Sequence, residues 1–384
     1  TRANPAAAVD DVCGTVLATS NRGGCRIVNL RVAVVGMAHL HLFELVQGLL
    51  DAGAETVAHV PDGELLDVYE GWRPDSRPVE LAELLADGNL DLIVTAGVPS
   101  ERAAVALAAL ESGKHVLSVK PGVTTVDDLK RITHAVEASG RRWTVLFTER
   151  FTNRATSEAV RLARSGAIGE VVHVIGAGPH TLNLEGRPDW FFDPSASGGI
   201  LVDLASHQVD QFLAITGELN ATVSHSSIGN VACHEHPAFA DVGTIRLAGT
   251  TTHGSPVIGD HRVDLLSPAG LGCWGDVRLA IIGTEGTLEA RSNIDPAGAP
   301  GSEHLILVDR ESTRRVDCSG VDVDWAGRLA ADLVDGGARL MSQAHVLAVC
   351  DLTLTAQARA NSWGAAQADA RVTNASADIG TVRP

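Results

Sequence analysis

The stretch NLRVAVVGMAHLHLFELVQGLLDAGAETVAHV, residues 29–60, decides the fold. It opens with a compact β-branched run that ends in Gly36, as a buried strand does. Leu42, Leu45, Leu49 and Leu50 then fall at helical spacing before Gly53, and ETVAHV reads as a second strand. Strand, glycine turn, helix and strand within roughly 30 residues make a βαβ unit. The alternation continues downstream. A strand in LDLIVTA ends at Ala96, a helix is expected over 100–112, and HVLSV (115–119) is a strand. A helix over 125–139 and a strand in WTVLF (143–147) complete the series. Short strands that are apolar on both faces, separated by amphipathic helices, imply a parallel sheet covered on each side. Residues 29–149 are therefore expected to form a Rossmann-type dinucleotide-binding domain.

The pattern changes after Arg150. SEAVRLARSGAIG reads as a helix closed by glycine, followed by the strand EVVHVIGAG and the irregular PHTLNLEGRPDWFFDPSASGG. A single helix is expected from about Ile200 to Thr216. From 221 to 318 strands dominate: ATVSHSSI, VGTIRLAG, HRVDLLS, VRLAIIG, GTLEARS and HLILVD. Such clustering points to an α+β domain over 150–324 with a large, mostly antiparallel sheet. The fold class is thus α/β, an N-terminal Rossmann-type parallel sheet followed by this second domain. Helices return at 325–336 and 344–361, while the extensions 1–28 and 365–384 are small, polar and aperiodic.

Composition narrows the function classes. Forty-seven acidic against 30 basic residues give a formal net charge of −17, which repels nucleic acid and anionic membranes. No apolar run is long enough to span a bilayer, and the first 28 residues lack the hydrophobic segment of a signal peptide. Six cysteines without a C-x-x-C pair suit a reducing compartment, so a cytoplasmic location is expected. The one tyrosine, Tyr69, has Arg73 rather than lysine four residues on, so a Tyr-x-x-x-Lys proton relay is absent. Only three lysines exist, Lys114, Lys120 and Lys130.

Of a G-x-G-x-x-G fingerprint the glycine turn keeps one glycine: Gly36, Met37, Ala38, His39, Leu40, His41. At the end of the second strand, His59, Val60 and Pro61 stand where an acidic residue is expected, with Asp62 slightly late. The turn alone fits cofactor binding and a plain packing turn equally. Lys120 follows an apolar strand and precedes Pro121. In an open parallel sheet that places it at the ligand crevice, where a lowered pKa would suit it to proton transfer. The alternative is a surface lysine at a loop start. In GGILVDLASHQVD (198–210), Asp203 and His207 lie at i and i+4 on the expected helix, so their side chains can meet. A carboxylate beside an imidazole can orient it or bind a hydroxyl. A surface ion pair is the bland alternative. Asp210 follows near the same stripe.

GKHVLSVKPGVTT resembles the lysine–proline segment of the Gfo/Idh/MocA oxidoreductases (glucose–fructose oxidoreductase, inositol dehydrogenase and relatives). GGILVDLASHQVDQF is similar to that family's Gly-Gly…Asp…His helix, and RLAIIGTEGTLEAR to its late sheet segment. WAGRLAADLVDGG and the helix after it look like the family's terminal pair, which implies that 325–364 packs back on the dinucleotide domain. The likeness runs from about 29 to 362. It implies that Lys120 handles the proton and contacts the reacting hydroxyl, that Asp203 holds substrate hydroxyls, and that His207 shares or relays the proton. NAD or NADP would be held by Gly36, Met37, Ala38 and His39, the loop Thr95, Ala96, Gly97, Val98 and Pro99, and Val119 with Lys120. Val119 departs from the acidic residue common before the lysine.

Other clusters weigh less. Cys233, His234 and His236 look metal-like but lack a second ligand pair at a typical interval, so no metal is expected. His39 and His41 flank the turn and face either the site or solvent. His180 is a substrate-contact candidate at a strand end, and Trp190, between Asp189 and Phe191, is either a sugar-stacking ring or a core plug. Glu149 and Arg150, at the domain junction, touch cofactor or brace the hinge. The expected activity is hydride transfer between a secondary alcohol of a sugar, cyclitol or glycoside and a nicotinamide, in a homo-oligomer (dimer or tetramer). The resemblance also allows redox-neutral glycoside cleavage through bound NAD. A non-catalytic dinucleotide-binding sensor or regulator of the same fold is the third reading.

Overall fold

The computed structural model describes residues 29–295 and 297–364. The expected extensions 1–28 and 365–384, with Cys13 and Cys25, lie outside them. The first sheet contains β1 (Arg31–Met37), β2 (Glu55–Val60), β3 (Arg77–Pro78), β4 (Leu92–Ala96), β5 (His115–Val119) and β6 (Trp143–Leu146). Its six strands are parallel and run β3-β2-β1-β4-β5-β6. Val32 to Val35 of β1 and all of β4 are buried, which explains their unbroken apolar sequence. Strand order reverses between β1 and β4, so the crevice for a ligand opens at the carboxyl ends of these strands. Gly36 and Met37, Thr95 and Ala96, and Val119 stand there.

The second sheet has β7 (Val171–Pro179), β8 (Thr222–Asn230), β9 (Val242–Thr250), β10 (Pro256–Asp264), β11 (Arg278–Gly283), β12 (Thr287–Ser292), β13 (Glu303–Val308), β14 (Thr313–Arg315) and β15 (Asn361–Gly364). The order is β14-β13-β12-β11-β7-β10-β9-β8-β15. Only the β7–β10 and β8–β15 pairs are parallel. One face carries the helix Ala205–Thr216, in which every residue but Ala214 is buried. Glycine lets this helix sit close: a Cβ on Gly259 would lie 2.7 Å from the Phe212 ring. The helix Gln343–Arg359 ties the two sheets together. Its Gln343 side chain bonds both backbone groups of Trp143 in β6, and Gln357 accepts from the Leu201 amide at 3.0 Å. The helix Trp325–Asp335 docks on His41–Asp51, where Gly48 leaves room for the Trp325 indole.

Three local expectations change. The helix expected from Ile200 to Thr216 is two, Ile200–Asp203 and Ala205–Thr216, broken at Leu204. Residues 361–364 extend the second sheet as an edge strand rather than ending a helix. Strand β10 starts at Pro256, five residues before the HRVDLLS pattern.

Candidate active site

The site forms where the carboxyl edge of the first sheet meets the start of the Gly-Gly helix. Lys120, immediately after β5, is 4% exposed, and its Nζ donates to Asp203 Oδ1 at 2.6 Å. Its peptide bond to Pro121 is cis. Asp203 ends the one-turn helix Ile200–Asp203, so the break at Leu204 turns its carboxylate to the lysine. Burial works to raise the Asp203 pKa, but the charge and hydrogen bond of Lys120, with help from Arg187, outweigh it and hold the group ionised.

The expected meeting of Asp203 with His207 is not what the fold makes. No hydrogen bond joins them among the described residues, and His207 Nδ1 is buried without a partner. His207 sits in the first turn of the next helix, with its ring edge-on to Phe147 at 6.5 Å. Burial, then the nearby Lys120 charge, holds it well below the ordinary histidine value, so it is neutral. His180 follows β7, and its Nδ1 pairs with the Gly178 carbonyl at 3.1 Å. Burial, then Lys120, pushes it down to about 3. The electrostatic reach of Lys120 to Asp203, His207, His180 and His39 places all four side chains around it. Trp190 is partly buried against the core beside Phe191, 6.3 Å between ring centroids.

The turn after β1 is shaped for close approach. Gly36 has φ +79°, and a Cβ there would stand 2.5 Å from the Gly97 backbone. The Ala38 amide donates to Ala96 at 3.0 Å, which joins the turn to the β4 loop. The amides of His39 and Leu40, ahead of the helix His41–Asp51, have no acceptor among the described residues, and Thr95 Oγ1 is buried and unpartnered. Unused donors at a helix start beside a glycine turn fit a dinucleotide diphosphate. Val98 and Pro99 continue the β4 loop into a short 3-10 turn, Pro99–Glu101.

The chain's stretch 30–147 matches the oxidoreductase family with an NAD-binding Rossmann fold, and 156–289 matches the GFO/IDH/MocA C-terminal domain. A solved structure from Erwinia carotovora atroseptica assigned as an oxidoreductase is 34% identical. It covers 88% of this chain and all of that one, with a TM-score of 0.83. The chain belongs to the Gfo/Idh/MocA family of NAD(P)-dependent oxidoreductases. The scyllo-inositol 2-dehydrogenase (NAD(+)) of Bacillus subtilis is 27% identical over 67% of this chain and 73% of its own length. An uncharacterized oxidoreductase of Schizosaccharomyces pombe is 27% identical, over 60% of each chain.

Three residues escaped the sequence reading. Arg102, 1% exposed, donates to the Gly97 carbonyl (2.8 Å), Val119 (3.2 Å) and Pro121 (2.7 Å), bracketing the β4 loop to the lysine segment. Arg187 lies within reach of Asp203 and His180, its own fork held by the Leu182 and Thr181 carbonyls. Trp274, 48% exposed, places its ring 4.4 Å from His180. Each comes from a distant segment without periodicity; the arginine within the expected 100–112 helix was the one available signal. In the Cys233 loop, Asp241 accepts three backbone amides and His236 stacks on Phe192, so these groups build the loop.

Proposed function

We propose that this Gfo/Idh/MocA protein transfers hydride between a secondary alcohol of a sugar or cyclitol and a nicotinamide, with Lys120 as the acid/base. The observation that carries this reading is the Lys120–Asp203 pair at the carboxyl edge of a dinucleotide-type sheet. Bound NAD or NADP supplies the hydride acceptor or donor. Lys120, in its neutral form, takes the hydroxyl proton onto Nζ in the oxidation direction and returns it from the ammonium in reduction. Asp203 spends Oδ1 on the lysine and leaves Oδ2 to accept a substrate hydroxyl. His180 and His207 are neutral and so add hydrogen bonds without competing positive charge. The half-exposed Trp274 offers an apolar ring to a sugar face beside His180. The B. subtilis relative acts, by its name, on scyllo-inositol, which supports the cyclitol class. A homo-oligomer built on the second sheet belongs to the same reading.

A panel of sugars, inositols and their keto forms, followed by nicotinamide absorbance with NAD and NADP, tests it. Net reduction of the dinucleotide by at least one polyol is the expected result. Substrate consumption with no net change in cofactor would instead favour redox-neutral cleavage.

A further inference from the structure

One buried acid stands behind the site with no part in the chemistry above. Glu149 lies in the one-turn helix Thr148–Phe151 after β6 and is 8% exposed. Its Oε2 accepts from two neutral amides, Gln208 Nε2 at 2.9 Å and Gln211 Nε2 at 3.3 Å. Its Oε1, with Gln208 Oε1 and Gln211 Oε1, is buried without a partner. Among the described residues no cation is bonded to it. The adjacent Arg150 is committed to Asp210 through two bonds of 2.6 Å, and His345 fills the remaining place on Asp210 at 2.7 Å. An ionised Glu149 would leave three buried acceptors around it with no donor to share, whereas a protonated Oε1 supplies one. Gln208 also borders β7: a Cβ on Gly178 would meet its amide at 2.7 Å, and the Gly178 carbonyl holds His180. The acid is thus one side chain removed from the substrate face, within electrostatic reach of Lys120.

We propose that Glu149 is kept as a neutral carboxylic acid in the resting enzyme and that its ionisation, behind the Lys120–Asp203 pair, sets the pH dependence of oxidation. The proposal rests on the reading of Lys120 as the acid/base; Glu149, bonded to Gln208 and Gln211, acts as a positioning residue. Burial pushes its pKa up to about 8, against the pull of Lys120 and the two glutamines, with Asp210 adding to the rise. The charged and titratable groups facing it are Lys120 from the β5 loop and Asp210, itself neutralised by Arg150 and His345. His207 on the same helix is neutral. Below about pH 8 the site therefore holds one carboxylate beside Lys120, that of Asp203, and above it a second negative charge arrives within electrostatic reach. That second charge opposes removal of the substrate's proton from the site, so ionised Glu149 holds the alkaline rise of kcat/KM at higher pH.

Glu149→Gln removes the charge and keeps the amide-sized side chain. In the holoenzyme its kcat/KM profile for oxidation is expected to rise at a pH lower by about half a unit or more. Glu149→Asp, which keeps an ionisable group, should retain the wild-type position. Infrared difference spectra of the holoenzyme near pH 6.5 should show a protonated-carboxyl band that shifts in Glu149→Asp and fades above about pH 8. Superimposable Gln and wild-type profiles, or no such band at pH 6.5, overturn the proposal. Full turnover in Lys120→Ala would instead remove the lysine reading, and the infrared titration would still decide the state of Glu149.

Discussion

Lys120 owes its usefulness to what surrounds it: one carboxylate at 2.6 Å and imidazoles that burial keeps neutral. Lys120→Ala is expected to lower turnover by about two orders of magnitude or more while NADH still binds, as followed by nicotinamide fluorescence. Turnover within a few-fold of wild type would end the assignment. The same physics makes a second histidine a stability sensor. His261 is 4% exposed with both ring nitrogens unpartnered, and burial lowers it to about 4. Below about pH 6.5 the unfolded chain takes up this proton while the folded one does not until near 4. Its contribution is therefore complete above pH 6.5 and lost as pH falls towards 4, on the order of 2–3 kcal/mol. His261→Met should flatten the fall in Tm between pH 7 and 4.5; an equal slope in both proteins would exclude this role. At this scale short motifs drew attention to Lys120, Asp203 and His207, and the structure joins the first two. It hid Arg102, Arg187 and Trp274, because their partners are backbone carbonyls and rings that no side-chain pattern announces.

Elements with strong periodicity were readable, and those set by tertiary contacts were not. Strands β2 and β5 begin and end where their apolar runs do. By contrast, β3 has two residues and β15 four, too few for any pattern, and each exists because a longer strand offers an edge. The break at Leu204 comes with no glycine or proline to announce it, and the Asp203–Lys120 contact lies beside it. The β1 turn needs its one retained glycine for two reasons, the positive φ and the contact with Gly97. Gly36→Ala is expected to destabilise the protein by about 2 kcal/mol or more and weaken dinucleotide binding, visible as a lower Tm and a raised Kd for NADH. Unchanged values for both would mean that the turn is more pliant than its geometry implies. Asp62 adds a preference. Its carbonyl accepts the Met37 amide at 2.8 Å, fixing an acidic loop (Asp62, Glu64) against the turn. A 2′-phosphate there would meet carboxylates, so kcat/KM should favour NAD over NADP by about tenfold or more. Asp62→Ser should narrow that ratio, and a wild-type preference for NADP would contradict the argument.

At the scale of the molecule, the described residues leave part of the second sheet's outer face open. The helix Ala205–Thr216 seals the inner side, whereas Ile175 on β7 and Ile258 on β10 remain 41% and 40% exposed on the other. These strands pair in parallel, so Ile175 stands opposite Asp260, and Ile258 opposite His173. Asp260 is held by Arg246 at 2.6 Å and by His173 at 2.9 Å, so the charges on this face are matched with one another between the isoleucines. Apolar side chains flanking a neutralised ion cluster on a broad sheet suit an isologous contact, where each group meets its own copy. A dimer or larger oligomer is therefore expected in sedimentation at micromolar protein. Ile258→Glu would place a like charge at each copy of the contact and should yield monomers of unchanged Tm-independent fold, judged by circular dichroism. A wild-type monomer at that concentration would leave the open face without a partner of its own kind. An oligomeric Ile258→Glu protein would move the contact to another surface.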